Sequence, residues 1–388
     1  MPFEPSERLQ ALPPYLFIEI DRKRREAIAA GEDVINLGVG DPDQPTPEFI
    51  RKRMVTALDD HRNHRYPFDE GVPEFRERAA AFMDQRFGVS VDWKTELITL
   101  IGTKEGLGHL PLAVVDPGDL VLIPQPAYPV YQAASILAGG TPHHLPLTED
   151  RGFLPDLSAV PSDVAKKASL MFLNYPNNPT AACASIEFFT EAVEFARAND
   201  LVICQDAAYT ELYFDQRPHS ILEVPGAKDV AIELHSLSKT FNMTGWRLGW
   251  AVGNADVITA LAKVKGNMDS GQFNAIQEAG VEALEHADHI EVKANLDIYR
   301  ERRDVLVEGL QGLGFGVNKP EATFYVWARC PKGLDSMAVA ERVLEEASVV
   351  LIPGIGFGAP GEGYVRAALT VSAERIGEAI KRMGSIDW

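Results

Sequence analysis

At 388 residues, with 46% hydrophobic and 24% charged side chains, the chain is long enough for two or three domains and too apolar for extensive disorder. A formal net charge of -19 disfavours nucleic acid as a partner, and no apolar run approaches the roughly 18 residues that a membrane helix needs. Cys183, Cys204 and Cys330 are too few and too widely spaced for a disulfide framework or a CxxC pair.

The opening MPFEPSERLQALPPYLF lacks the basic region, apolar core and cleavage site of a signal peptide, so the expected compartment is cytoplasmic. A helix is expected near Phe17 to Ala30. It carries the densest charged run of the chain, Asp21 to Glu26, which reads as the solvated face of an amphipathic helix. His61 and His64 form an HxxH pair with neither cysteine nor a third credible ligand nearby, so no metal site is expected.

From about Thr99 to Gly253, strand-length apolar runs (DLVLIPQP, ASLMFLNYP, LVICQDAAY, VAIELHSLS, LGWAVGN) alternate with helical segments such as SIEFFTEAVEFARAND. Parallel neighbours need crossover helices, so this rhythm predicts an α/β fold with a largely parallel sheet covered on both faces. Functional residues then belong on loops beyond the carboxyl ends of the strands. One long helical stretch is expected from about Ala275 to Leu313, followed by a compact α+β unit with a helix around Ala338 to Ala347 and a last helix from Ala373. The N-terminal segment has no sheet of its own, which predicts a smaller domain built from both termini around a larger one.

Several loops carry chemistry. IGTKEGLG reads as a strand-to-helix junction where Thr103, Lys104 and free backbone N–H groups either cap the helix or bind phosphate. Tyr128 in PQPAYPVY follows a strand, and its ring packs either in the core or on another ring system. Asn178 lies in the turn NYPNNPT, while Asp206 and Tyr209 stand just past an apolar strand in QDAAY. Asp206 either caps the next turn or pairs with a cationic ring nitrogen.

An isolated Lys239 would read as a surface residue. In HSLSKTFNMTGWRLGW, however, Ser236, Ser238 and Arg247 supply phosphate ligands around it, and a lysine beside bound phosphate suits attack on an aldehyde. Arg366, in the small-residue strand YVRAALT, faces either solvent or an anion. The glycine-rich GVGDPD and PGIGFGAPG do not open helices with the third glycine of a dinucleotide fingerprint, so nicotinamide binding is not expected.

In order and spacing, NLGVGDPDQPTP, YPFDEGVPEFRE, NYPNNPT, DAAY, SLSKTFNMTGWRLGW and YVRAALT together resemble the class I/II aminotransferases over nearly the whole chain. That resemblance implies a fold type I architecture with a mostly parallel seven-stranded sheet, pyridoxal 5'-phosphate as cofactor, and a homodimer with shared active sites. It implies domain limits of 1–45 and 284–388 for the two parts of the small domain and 46–283 for the large one.

The implied roles follow position by position. Lys239 bonds the cofactor and shuttles protons, Asp206 partners the ring nitrogen, Tyr209 and Asn178 bind the ring hydroxyl, and Tyr128 stacks on the ring. Thr103, Lys104, Ser236, Ser238 and Arg247 hold the phosphate. Arg366 and Gly40 receive the substrate carboxylate, and Tyr66 and Asn274 reach the neighbouring subunit's site. Asn178, Lys104 and Tyr128 also contact substrate.

The opening LPPYLFIEIDRKR is further similar to LL-diaminopimelate aminotransferases, in which the residue matching Tyr15 touches substrate. LL-diaminopimelate, glutamate and 2-oxoglutarate are the substrates this implies. GNMDSGQFNA lacks an arginine for a distal carboxylate, which weighs against aspartate as the preferred donor. The enzymatic alternatives are an aminotransferase for another amino acid (alanine, aspartate or aromatic) and a pyridoxal-phosphate β-lyase. A cofactor-sensing transcription regulator is disfavoured by the acidic charge and by the short segment before NLGVGDPD.

Overall fold

A computed structural model describes residues 3–13 and 17–388, so Tyr15 lies outside the described residues. Its larger sheet has seven strands: β1 Leu97–Leu100, β2 Leu120–Gln125, β3 Thr141–Pro146, β4 Ala168–Leu173, β5 Val202–Asp206, β6 Ala231–Ser236 and β7 Gly249–Gly253. Their spatial order is β1-β7-β6-β5-β4-β2-β3. Pairing is parallel from β3 through β6, while β7 runs antiparallel to both β6 and β1.

Strand residues alternate between two buried layers. Leu122, Met171, Leu173 and Ile203 enter one apolar cluster, while Val121, Ile123, Leu170, Phe172 and Cys204 enter the other. A sheet buried on both faces needs apolar residues at every position, which explains why these strands read as unbroken apolar runs. The carboxyl ends of β4, β5 and β6 consequently deliver Asn174, Asp206 and Ser236 to one edge of the sheet.

The smaller sheet is antiparallel, with β8 Gly316–Val317, β9 Tyr325–Arg329, β10 Ile352–Pro353 and β11 Tyr364–Ala368 in the order β10-β11-β9-β8. Helices Ile290–Gly312, Ser336–Ala347 and Ala373–Met383 accompany it. The N-terminal segment joins this region through Ile35–Asn36, which pairs in parallel with Val349–Val350.

The helical stretch expected from about Ala275 to Leu313 consists of two helices, Asn274–Glu285 and Ile290–Gly312. His286 leaves helical geometry at φ -114° and ψ 35°, and His289 restarts the chain by accepting a hydrogen bond from the Glu291 N–H. Val292 still packs in the large core, whereas Tyr299 and Leu306 belong to the core of the smaller sheet. Among the described residues no helix is long and apolar enough to cross a membrane.

Candidate active site

A cavity of about 740 Å³ opens between the two sheets. Thr103, Lys104, Tyr128, Asn178, Asp206, Tyr209, Ser236, Ser238, Lys239, Arg247, Gly40 and Arg366 all line it, so segments from nearly the whole chain converge there.

Gly102 caps helix Thr103–Val114 at φ 73°, a conformation that favours glycine. A Cβ at this position would run into the Arg247 guanidinium, so the bare backbone lets that side chain lie against the helix N-terminus. Across from it, Ser236 caps the short helix Leu237–Thr240 by accepting the Ser238 N–H at 3.1 Å. Unpaired N–H groups, two hydroxyls and a guanidinium thus share one pole of the cavity and suit a phosphate.

Lys239 donates to the Gly40 carbonyl at 2.9 Å, and its ammonium lies 5.4 Å from the Phe324 ring centre. Desolvation lowers its pKa, as do the nearby Arg247 and Arg366, and only partly do Tyr325 and Asp41 oppose this. The amine is therefore predisposed to lose the proton that blocks nucleophilic attack.

Asp206 is 5% exposed. Its Oδ2 accepts the Tyr131 hydroxyl at 2.8 Å and its Oδ1 the Ala208 N–H at 3.3 Å. Burial raises the carboxyl pKa to about 6, against the lowering influence of those hydrogen bonds and of His235. No lysine or arginine forms an ion pair with Asp206 among the described residues, so this carboxylate is a buried anion awaiting a cation.

Arg366, left by its sequence context as either a solvent-facing or an anion-binding residue, is 5% exposed. One terminal nitrogen donates to Asn178 Oδ1 and the other to the Gly38 carbonyl, each at 2.8 Å. Its Nε is buried without a partner. Of five N–H donors only two are thereby used, which leaves a guanidinium able to take a carboxylate. Gly40 approaches so closely that a Cβ there would strike the Tyr325 hydroxyl.

Three contributors escaped the sequence reading. Tyr131 holds Asp206 and stacks on Phe172, with ring centres 4.9 Å apart. Asn174 donates to the Asp206 carbonyl at 2.7 Å and accepts the Asn178 N–H at 2.8 Å. Tyr325 lies 3.3 Å from the Tyr209 hydroxyl and under the Arg366 guanidinium, 4.2 Å from ring centre to carbon. The position of Tyr131 three residues after Tyr128, at the start of helix Val130–Ala138, was the available signal for the first. The charged run also needs correction: Asp21, Arg24 and Arg25 line this cavity instead of forming only a solvated face. Tyr66 and Asn274 do not line the cavity of their own chain.

Behind the phosphate-type pole, the fully buried Lys265 reaches Asp269 at 2.8 Å and Glu105 at 3.5 Å, and Glu105 accepts the Ile101 N–H. His109 completes a trio with Glu105 and Asp269 whose ligand atoms lie within 4.8 Å of one another. The single ammonium of Lys265 lies between the two acids and pairs with both. Lys265→Met is expected to cost about 3 kcal/mol in urea unfolding, because it removes a buried cation from two partly buried carboxylates. A loss below about 1 kcal/mol would show that water solvates them instead.

This geometry, with a desolvated lysine and a buried carboxylate on a mostly parallel sheet and a phosphate-type pole beside them, defines a fold type I pyridoxal-phosphate enzyme. The family profile "Aminotransferase class I and II" matches residues 32–383. The chain is 54% identical over 100% of both chains to LL-diaminopimelate aminotransferase of Syntrophobacter fumaroxidans, and 53% identical over 97% of each to that of Moorella thermoacetica. Among solved structures, substrate-bound BacF from Bacillus subtilis superposes with TM-score 0.93 at 37% identity, covering 99% of this chain and 97% of that one. A probable N-succinyldiaminopimelate aminotransferase from Thermus thermophilus gives 0.90 at 38%, covering 95% and 99%. The chain belongs to the class I and II aminotransferases and is a pyridoxal-phosphate-dependent transaminase. The residues present fit that cofactor: the uncompensated Asp206 matches a cationic ring nitrogen, and the pole that Gly102 keeps open matches a phosphate.

Proposed function

We propose that this enzyme exchanges an amino group between LL-2,6-diaminopimelate and 2-oxoglutarate, and that in the biosynthetic direction it aminates ring-opened tetrahydrodipicolinate with glutamate, a step towards lysine. The observation carrying this reading is that full-length relatives at 50–54% identity bear the name LL-diaminopimelate aminotransferase. Fold alone does not choose the substrate, because aromatic and aspartate aminotransferases superpose as well, with TM-scores of 0.86 and 0.91.

Pyridoxal phosphate, when bound, supplies an aldehyde that condenses with amines and a cationic ring that draws electrons from the attached α-carbon. Thr103, Lys104, Ser236, Ser238 and Arg247 would hold its phosphate, Tyr128 its ring face, Tyr209 and Asn178 its hydroxyl, and Asp206 its nitrogen. Arg366, assisted by the Gly40 backbone, fixes the substrate α-carboxylate. This orients the α-hydrogen towards Lys239. The Lys239 amine, its pKa lowered by burial, takes the proton from the α-carbon and later returns one. Tyr131 and Ala208 keep Asp206 directed into the cavity through their hydrogen bonds.

We read the enzyme as a cytoplasmic homodimer divided into a small domain of residues 1–45 and 284–388 and a large domain of residues 46–283. The two sheets build largely separate cores, which supports the division, with Val292 packing in the larger core and Tyr209, Leu212 and Phe214 in the smaller one. Tyr66, Phe68 and Met268 are 92%, 71% and 61% exposed, and the Asn274 side-chain oxygen is buried without a partner. A partner subunit would cover such apolar surface, with Tyr66 and Asn274 completing the partner's site.

Purified enzyme given LL-diaminopimelate and 2-oxoglutarate is expected to form glutamate. Glutamate from alanine, aspartate or an aromatic donor, with none from LL-diaminopimelate, would overturn the substrate reading. Pyruvate and ammonia released without a keto acid would instead indicate a lyase.

A further inference from the structure

Arg247 carries its guanidinium to the phosphate-type pole from a backbone conformation that residues with side chains rarely adopt. It follows the short helical turn Thr244–Trp246 in the left-handed region, at φ 57° and ψ 59°. Its guanidinium lies against Gly102, at the N-terminus of helix Thr103–Val114, and donates to the Thr244 carbonyl at 2.9 Å. Both contacts hold the side chain, and neither holds the turned backbone.

Gln272 does so. Its side chain is buried, and its amide nitrogen donates to the Trp246 carbonyl at 2.9 Å and to the Arg247 carbonyl. An amide NH2 has two donors, so both are spent on the carbonyls that flank the Arg247 Cα. Gln272 is itself fixed: its Oε1 accepts the Phe273 N–H at 2.8 Å, and its carbonyl accepts the amide of the fully buried Gln277 at 2.6 Å. The other end of this segment is anchored to the second half of the pole. Lys265 reaches Asp269 at 2.8 Å and Glu105 at 3.5 Å, and Glu105 accepts the Ile101 N–H at 2.9 Å, one residue before Gly102. Residues 265–272 thereby tie the helix N-terminus and the arginine, the two halves of the pole, to one piece of backbone.

We propose that Gln272 is a positioning residue for the cofactor phosphate: it holds the Arg247 backbone in the turned conformation that aims the guanidinium at the pole before the phosphate arrives. Without that amide the Arg247 backbone relaxes to commoner conformations, and the apparent affinity for phosphate falls with the fraction of molecules whose guanidinium is still correctly placed. This role rests on the assignment of Arg247 to the phosphate and is independent of which amino acid is the substrate.

The test measures equilibrium binding to the cofactor-free enzyme by absorbance, with pyridoxal phosphate and with pyridoxal, which has the same ring and aldehyde but no phosphate. Gln272→Met keeps the length of the side chain and removes both donors. It is expected to weaken pyridoxal phosphate binding about thirtyfold, the scale of two hydrogen bonds lost from buried carbonyls, and pyridoxal binding by less than about twofold. In an Arg247→Met background the same substitution is expected to add less than about threefold, because there is no guanidinium left to position. Equal losses for the two ligands, no loss for either, or a further loss of about thirtyfold in the Arg247→Met background overturns the proposal, since a segment that only supports the fold would affect both ligands and both backgrounds alike. If Arg247→Met itself binds pyridoxal phosphate as tightly as the wild type, the assignment of Arg247 to the phosphate fails, and the role of Gln272 fails with it.

Discussion

Lys239→Ala is expected to reduce turnover roughly ten-thousand-fold, the upper range of what a positioned acid–base group contributes, while the folded protein still retains the cofactor. Its amine donates to the Gly40 carbonyl inside the cavity, and its pKa is lowered by its surroundings. The neighbouring Arg247 and Arg366 carry guanidinium groups suited to binding anions, and Lys104 stands in the loop that would hold the phosphate. Turnover is measured by glutamate formation, and borohydride reduction followed by peptide mapping is expected to place the pyridoxyl label on position 239. Residual activity within about a hundredfold of wild type, or a label elsewhere, would remove Lys239 from the chemistry.

Asp206→Asn carries the second large effect. Breaking a buried charge pair costs about 3–5 kcal/mol, so kcat/KM should fall between about a hundredfold and a few thousandfold, and Asp206→Glu should recover part of it. A loss under about tenfold would mean that the ring nitrogen draws its charge from another source.

The cofactor-free protein provides an independent check. The folded carboxyl has a pKa raised from 3.8 to about 6 by burial, so between those values the folded state keeps a proton that the unfolded chain has released. Stability of the cofactor-free protein therefore falls as pH rises from about 4 through 6. At roughly 1.4 kcal/mol per unit the change approaches about 3 kcal/mol. Urea titrations from pH 4.5 to 7.5 should show that decline in the wild type and lack this contribution in Asp206→Asn. Identical slopes in the two proteins would contradict the raised pKa.

Much of this was legible in the chain because fully buried parallel strands must be apolar throughout, and because the residues just past them carry the chemistry. Asp206 ends β5 and the group around Lys239 begins at the end of β6, so their sequence position announced their place. The helix break at His286 to His289 was not legible, since the stretch contains neither proline nor glycine to signal it. Tyr131 and Tyr325 were missed because a tyrosine in an apolar context looks the same whether it fills space or orients an acid. The run from Asp21 misled for a related reason. Charge at helical spacing describes a water-facing surface and a water-filled cavity equally well, and only the packing of Ile20 and Lys23 distinguishes them.

Arg366 belongs to the small antiparallel sheet, whereas Lys239 and Asp206 extend from the large one. A dicarboxylate seated in the cleft would consequently act as a strut between two bodies that also meet where Tyr209, Leu212 and Phe214 pack with Phe324 and Tyr325. Occupancy would be felt as stiffness far from the reacting carbon, and amides on either side should gain protection from exchange together.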